Sequence, residues 1–121
     1  MAQQDDIQSL SWEQRLFTVI LHAGNARSKA IHAAEQAEVG EFEAAEASLE
    51  EAEAEQLEAH KVLAFIIQME AKGEEVPFSV LLTHSMDLLL LAWAEIDHSR
   101  QLMRLYRRVA ALEREVEQWR K

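Results

Sequence analysis

The sequence predicts an all-α protein: an antiparallel three-helix bundle of long helices running up, down and up. Three observations carry this. Its 121 residues hold only three Gly and one Pro, while Ala, Leu and Glu dominate, which is a helix-former's composition. Apolar residues recur at three- and four-residue spacing over long stretches. The few chain-breaking residues, Gly40, Gly73 and Pro77, fall between those stretches.

The first helix is expected to begin at Ser11. Ser11-Trp-Glu-Gln14 has the form of a capping box, with Gln14 reaching back to the cap. Residues 1–10, polar and acidic, are expected to be a loose N-terminal tail. Leu16, Val19, Ile20, Ala23, Ala26, Ala30, Ala34 and Ala37 form the apolar stripe, and Gly40 stops the helix. The second helix is expected from about Glu41 to Ala71. Phe42, Ala45, Leu49, Ala52, Gln56, Ala59, Leu63 and Ile66 keep a coiled-coil-like 3-4 spacing, with glutamates largely between them.

The third helix is expected to start between Pro77 and Ser79, because proline suits a first turn and displaces its predecessor from helical geometry. Nothing interrupts it before about Gln118. Leu88 to Ala94 has no polar residue on any side. A bundle buries one stripe of a helix, roughly 100° wide. The other apolar sides of this helix therefore call for cover from another subunit. Beyond residue 105, Tyr106, Val109, Leu112, Val116 and Trp119 stand among arginines and glutamates. That stretch either extends the interface as a coiled coil, packs alone or frays. The domain expected is 11–108, with 109–121 as a helical extension.

The formal charge of −10 disfavours nucleic acid as a partner. Residues 30–60 hold ten glutamates and no Lys or Arg, whereas residues 100–121 hold seven basic residues against three acidic ones. Solvated helix faces of opposite sign account for this. Cysteine is absent, which excludes disulfides, thiolate metal sites and thiol nucleophiles. The N-terminus is no signal peptide, and the run from Leu88 to Ala94 is too short to span a bilayer, so a cytoplasmic protein is expected.

Of five histidines, His22, His32, His60 and His98 sit among charged or small residues and need no special role. His84 lies in the second turn of the apolar helix. Val80, His84, Asp87, Leu91, Ala94 and His98 form a seam at 4-3-4-3-4 spacing. The residues allow two readings of His84: a core histidine, or a nucleophile toward phosphorus. Asp87 on an apolar seam either hydrogen-bonds a neighbour or meets its copies, where carboxylates must take up protons or share a hard cation. Glu95-Ile-Asp-His98 has the Glu-x-x-His spacing of di-iron bundles, but occurs once where such sites need it twice. No glycine-rich phosphate loop or nucleophile elbow is present.

Four segments bring a family into view. They are His-Ala-Gly-Asn-Ala-Arg-Ser-Lys-Ala (22–30), the Gly-Glu-Phe-Glu-Ala-Ala-Glu run from Gly40, Glu-Ala-His-Lys (58–61) and Val-Leu-Leu-Thr-His-Ser-Met-Asp (80–87). In order and spacing they resemble enzyme IIA of the lactose/cellobiose type in the bacterial phosphoenolpyruvate-dependent sugar phosphotransferase system, over about residues 12–108. The resemblance implies a three-helix bundle assembled as a homotrimer. It implies that His84 accepts phosphate from phospho-HPr and passes it to a cysteine of a sugar-specific enzyme IIB, with the membrane reached only through enzyme IIC. It implies that Asp87 gathers Mg²⁺ or another divalent cation at the trimer axis. Four positions depart from the family pattern: Ser85 for alanine, Met86 for glutamine, Leu88 for a second histidine and Leu63 for a glutamine. Met86 and Leu88 keep a second reading open, a regulatory or structural bundle of the same fold that has lost efficient transfer and acts by binding a partner.

Overall fold

The computed structural model describes residues 2–120; residues 1 and 121, the ends of the expected tail and extension, lie outside the described residues. The chain forms four helices: α1 (Ala2–Ser9), α2 (Trp12–Glu38), α3 (Phe42–Ala71) and α4 (Val80–Arg120). Each long helix starts and stops where local chemistry directs. At the head of α2 the Ser11 hydroxyl accepts from the Gln14 amide (3.1 Å), and the Gln14 side chain accepts from the Ser11 amide (2.8 Å). This reciprocal pairing satisfies two amides that have no intrahelical partner. Gly40 (φ 83°) and Gly73 (φ 87°) take the left-handed conformation that ends α2 and α3. The Glu41 amide then donates to the Gln36 carbonyl, and the Glu74 amide to that of Met69. Ser79 caps α4, its hydroxyl accepting from the Leu82 amide at 3.0 Å.

Contacts between helices fix the topology. His22 pairs with Glu55, Lys29 with Glu51 and Gln36 with Ser48, so α2 and α3 run antiparallel. His60 meets Trp93, Glu53 meets Arg100 and Glu46 meets Arg107, so α3 and α4 are antiparallel too. Arg27 lies beside Glu95, and the Ala30 carbonyl accepts from the Ser99 hydroxyl (2.7 Å), so α2 and α4 run parallel. The three long helices thus run up, down and up.

The core is narrow because it is built largely of small residues. Ala23, Ala26, Ala30, Ala33 and Ala37 of α2 are fully buried, as are Ala45, Ala52 and Ala59 of α3 and Ala92 of α4. Alanines let helix axes approach closely, which brings Ser99 within hydrogen-bonding reach of the α2 backbone. All the expected α3 seam residues are buried except Phe42 and Gln56, which are half-buried.

One region differs from expectation. Residues 2–9 form a helix where a loose tail was expected. Ile7 is buried, and the Arg15 guanidinium donates to the carbonyls of Ile7 (3.0 Å) and Gln8 (3.1 Å), satisfying the last turn of α1. On α4, the stripe that faces the bundle is Ser85, Leu89, Ala92, Ile96, Ser99 and Met103. The Val80–His98 seam is exposed at every position in the single chain.

Candidate functional site

His84 is the fifth residue of α4. It is exposed, while Ser85 beside it is fully buried. The difference follows from helical geometry, since consecutive residues lie about 100° apart around the axis. Ser85 fills the core position, and its hydroxyl donates to the Leu82 carbonyl at 2.7 Å, so burial leaves no polar atom unsatisfied. Thr83 likewise donates to the Ser79 carbonyl (3.3 Å). The turn that carries His84 is therefore fixed by side chains on either side of it in sequence.

Residues three and four apart share a helix face. His84 accordingly neighbours Val80, Asp87 and Leu88. Val80 and Asp87 are exposed, and Leu88 is half-buried against the core. Met86, two residues from His84, points to another side of α4 and is exposed there. Within one chain, Leu88 is thus the departure from the family pattern that rims the imidazole. Leu63 is a core residue of α3. Among the described residues, His84 and Asp87 enter no ion pair, and no three His, Asp, Glu or Cys side chains gather as a cation site.

The other histidines, His98 apart, are tied into the bundle or stand away from this face. His22 Nδ1 lies 2.5 Å from a Glu55 carboxylate oxygen, both half-buried. His60 meets the Trp93 ring edge-on, with centroids 5.7 Å apart. His32 is exposed on α2, and His98 lies on the exposed α4 seam. The pairing of His22 with Glu55 and the role of Arg15 escaped sequence reading, because each joins residues on different helices.

Clefts lie elsewhere. One of about 400 Å³ opens between His60, Trp93 and Arg100. One of about 450 Å³ adjoins Arg15 and Phe65, and one of about 590 Å³ adjoins the α2–α3 turn. His84 lines none of these three. No helix is long and apolar enough to cross a membrane among the described residues.

Fold and site together describe a helical bundle that offers an imidazole on an open face. The comparisons with known proteins are specific. The model of the family PTS system, Lactose/Cellobiose specific IIA subunit, matches residues 14–107, and the chain belongs to that family. It is 33% identical over 97 residues to the lactose-specific EIIA component of Lacticaseibacillus casei, covering 80% of this chain and 87% of the relative. It is 36% identical over 97 residues to the lichenan-specific phosphotransferase enzyme IIA component of Bacillus subtilis, covering 80% and 88%. The crystal structure of the PTS cellobiose-specific enzyme IIA from Bacillus anthracis superposes with a TM-score of 0.81 at 34% identity, covering 86% of this chain and 96% of that one. The chain is therefore an enzyme IIA component of a sugar phosphotransferase system.

Proposed function

We propose that His84 carries the phosphoryl group, accepting it from phospho-HPr and passing it to the cysteine of a cognate enzyme IIB. The observation that carries this is the exposure of His84 on a face of α4 that the bundle leaves uncovered. A carrier must be reached in turn by two proteins, and each must bring its own reacting atom in line with phosphorus. In the first transfer an unprotonated ring nitrogen of His84 attacks phosphorus. The new N–P bond forms as the donor's N–P bond breaks, and the donor imidazole leaves with its electron pair. In the second transfer a cysteine thiolate attacks, the N–P bond breaks and His84 regains its lone pair. The protein's part is to hold the imidazole still on a rigid helix and to offer an apolar rim, Val80 and Leu88, for docking.

The same side of α4 supports self-assembly as a homotrimer, in which His84, near the start of the helix, would lie at the open edge of the interface and stay within reach of both partners. Val80, Leu91 and Ala94 are exposed apolar members of the seam, beside Asp87. A lone exposed carboxylate does not hold a cation, but three copies meeting at an axis supply three carboxylates whose repulsion a hard cation relieves. Asp87 of each copy would hold Mg²⁺ or another divalent ion, which would neutralise charge there.

Incubation with phosphoenolpyruvate, enzyme I and HPr, followed by intact mass measurement, tests the relay. One acid-labile phosphate is expected, absent in His84→Ala. No label, under conditions that label a known enzyme IIA, overturns the relay. It would instead favour a bundle that acts by binding a partner, the reading to which the apolar Leu88 beside His84 lends support. A label retained in His84→Ala moves the site elsewhere.

A further inference from the structure

The helix α4 outruns its own bundle. Arg27 sits beside Glu95 and Ala30 beside Ser99, an offset of 68 or 69 residues, so the last residue of α2, Glu38, comes level with about Arg107. On the other side Arg107 stacks on Phe42, the first residue of α3, at 4.8 Å, and pairs with Glu46 at 3.2 Å. Both neighbouring helices thus end at that level. From Arg108 to Arg120 only Ala110 is even half-buried. These residues also lie past the family match, which ends at 107. Past that level α4 gains no packing from its own bundle, and most helical stability in proteins comes from such packing. A partner would supply what the bundle does not.

The pattern of exposed residues specifies the partner. Leu102, Leu105, Val109, Leu112, Val116 and Trp119 follow one another at 3-4-3-4-3 spacing, and all are exposed. Trp119 is 88% exposed. That is a heptad seam, with Leu102, Val109 and Val116 at a and Leu105, Leu112 and Trp119 at d. It continues the seam that carries His84 and Asp87. The join, Ala94 to His98 to Leu102, is two steps of four, which locally relaxes a left-handed supercoil without leaving the face. The cleft beside the α2–α3 turn borders the seam at Val109 and otherwise opens on the flank of Ala110, Glu113, Arg114 and Glu117.

Flanking charges choose the orientation. Arg108 and Glu115 occupy g positions, and Glu113 and Arg120 occupy e positions. In a parallel, in-register assembly each g residue faces the e residue of the following heptad on its partner. Arg108 then meets Glu113 of the other copy, and Glu115 meets Arg120. Both pairs are of opposite sign. Arg107 and Arg114, at f, point away from the seam.

We propose that residues 102–120 form a parallel, in-register coiled coil with the same segment of other copies of this chain. The part of the segment beyond residue 107 is a self-association device added to the IIA bundle, and its presence does not depend on phosphoryl transfer through His84. The native chain has no cysteine, so one introduced thiol reports on one position. In full-length protein under mild oxidation, Trp119→Cys should give a disulfide-linked dimer on a non-reducing gel, while Arg114→Cys should not. Linkage of Trp119→Cys no better than that of Arg114→Cys overturns the proposal. Arg108→Glu should move dissociation to higher protein concentration in sedimentation, and adding Glu113→Arg should restore it. A double variant that associates no better than the single one also overturns it, because a solvated helix or a docked foreign peptide gives no such rescue.

Discussion

The leucines of α4 allow a sharp test, because adjacent residues of one type have opposite surroundings. Leu89 is 2% exposed in the core, whereas Leu90 is 62% exposed. Leu89→Ala removes three carbons from the interior, worth about 2.4 kcal/mol at roughly 0.8 kcal/mol each. Imperfect closure of the cavity raises the total to about 3 kcal/mol. Unfolding entropy near 2.1 cal/mol/K per residue gives this 121-residue chain about 0.25 kcal/mol per kelvin, so the melting temperature should fall by about 12 °C. Leu90→Ala should cost no more than about 0.5 kcal/mol within a single chain. Thermal unfolding followed by circular dichroism, repeated over a hundredfold range of protein concentration, separates the two. The loss in Leu89→Ala should appear at every concentration. Any loss in Leu90→Ala should grow with concentration, since only an interface between copies can produce it. Equal losses for the two variants at the lowest concentration, or a larger one for Leu90→Ala there, would refute the assigned register of α4.

Three further outcomes follow from particular contacts. Ser11→Ala deletes the cap of α2 and should lower stability by about 1 kcal/mol, or about 4 °C, read by thermal unfolding. Arg15→Ala removes the donor that satisfies the end of α1, so amides of residues 7–10 should exchange faster while those of α3 keep their protection; unchanged exchange would show that Ile7 packing alone holds α1. Asp87→Leu should leave assembly intact and abolish retention of Mg²⁺, measured by sedimentation and metal analysis; a wild-type protein that sediments as a monomer at tens of micromolar refutes the axial arrangement.

How far the fold could be read in advance depended on how polar residues were distributed. On α2 and α3, glutamates and lysines mark the solvent side, so the 3-4 recurrence of apolar residues located the core faces directly. On α4 the run Leu88–Ala94 has no polar residue to break the symmetry, and four leucines compete for the inward position. Packing resolved it through two serines. Ser85 and Ser99 occupy core positions that composition alone would assign to solvent, and they do so because Leu82 and Ala30 offer carbonyl acceptors. The helix α1 was illegible for another reason. Its sequence, Ala-Gln-Gln-Asp-Asp-Ile-Gln-Ser, has one strongly apolar residue and no periodicity. Its docking rests on Ile7 and on Arg15 from the next helix, a contact no local pattern announces.

The register of α4 also bears on His84. Had the Val80–His98 seam faced inward, the imidazole would be enclosed by alanines and leucines and out of reach of any partner. With Ser85 and Leu89 inward, the core of each chain is complete without that seam. Substitutions at His84, Asp87 and Leu91 are then free of the constraint that governs Leu89, and the face can be shaped by partners alone. That separation explains how one helix can hold a rigid bundle on one side and keep a histidine, an aspartate and a heptad seam on the other. It also gives Leu88, half in and half out, a particular weight. As the residue on the boundary next to His84, it is the place where a change toward a polar side chain would alter the surroundings of the imidazole and disturb the edge of the core together.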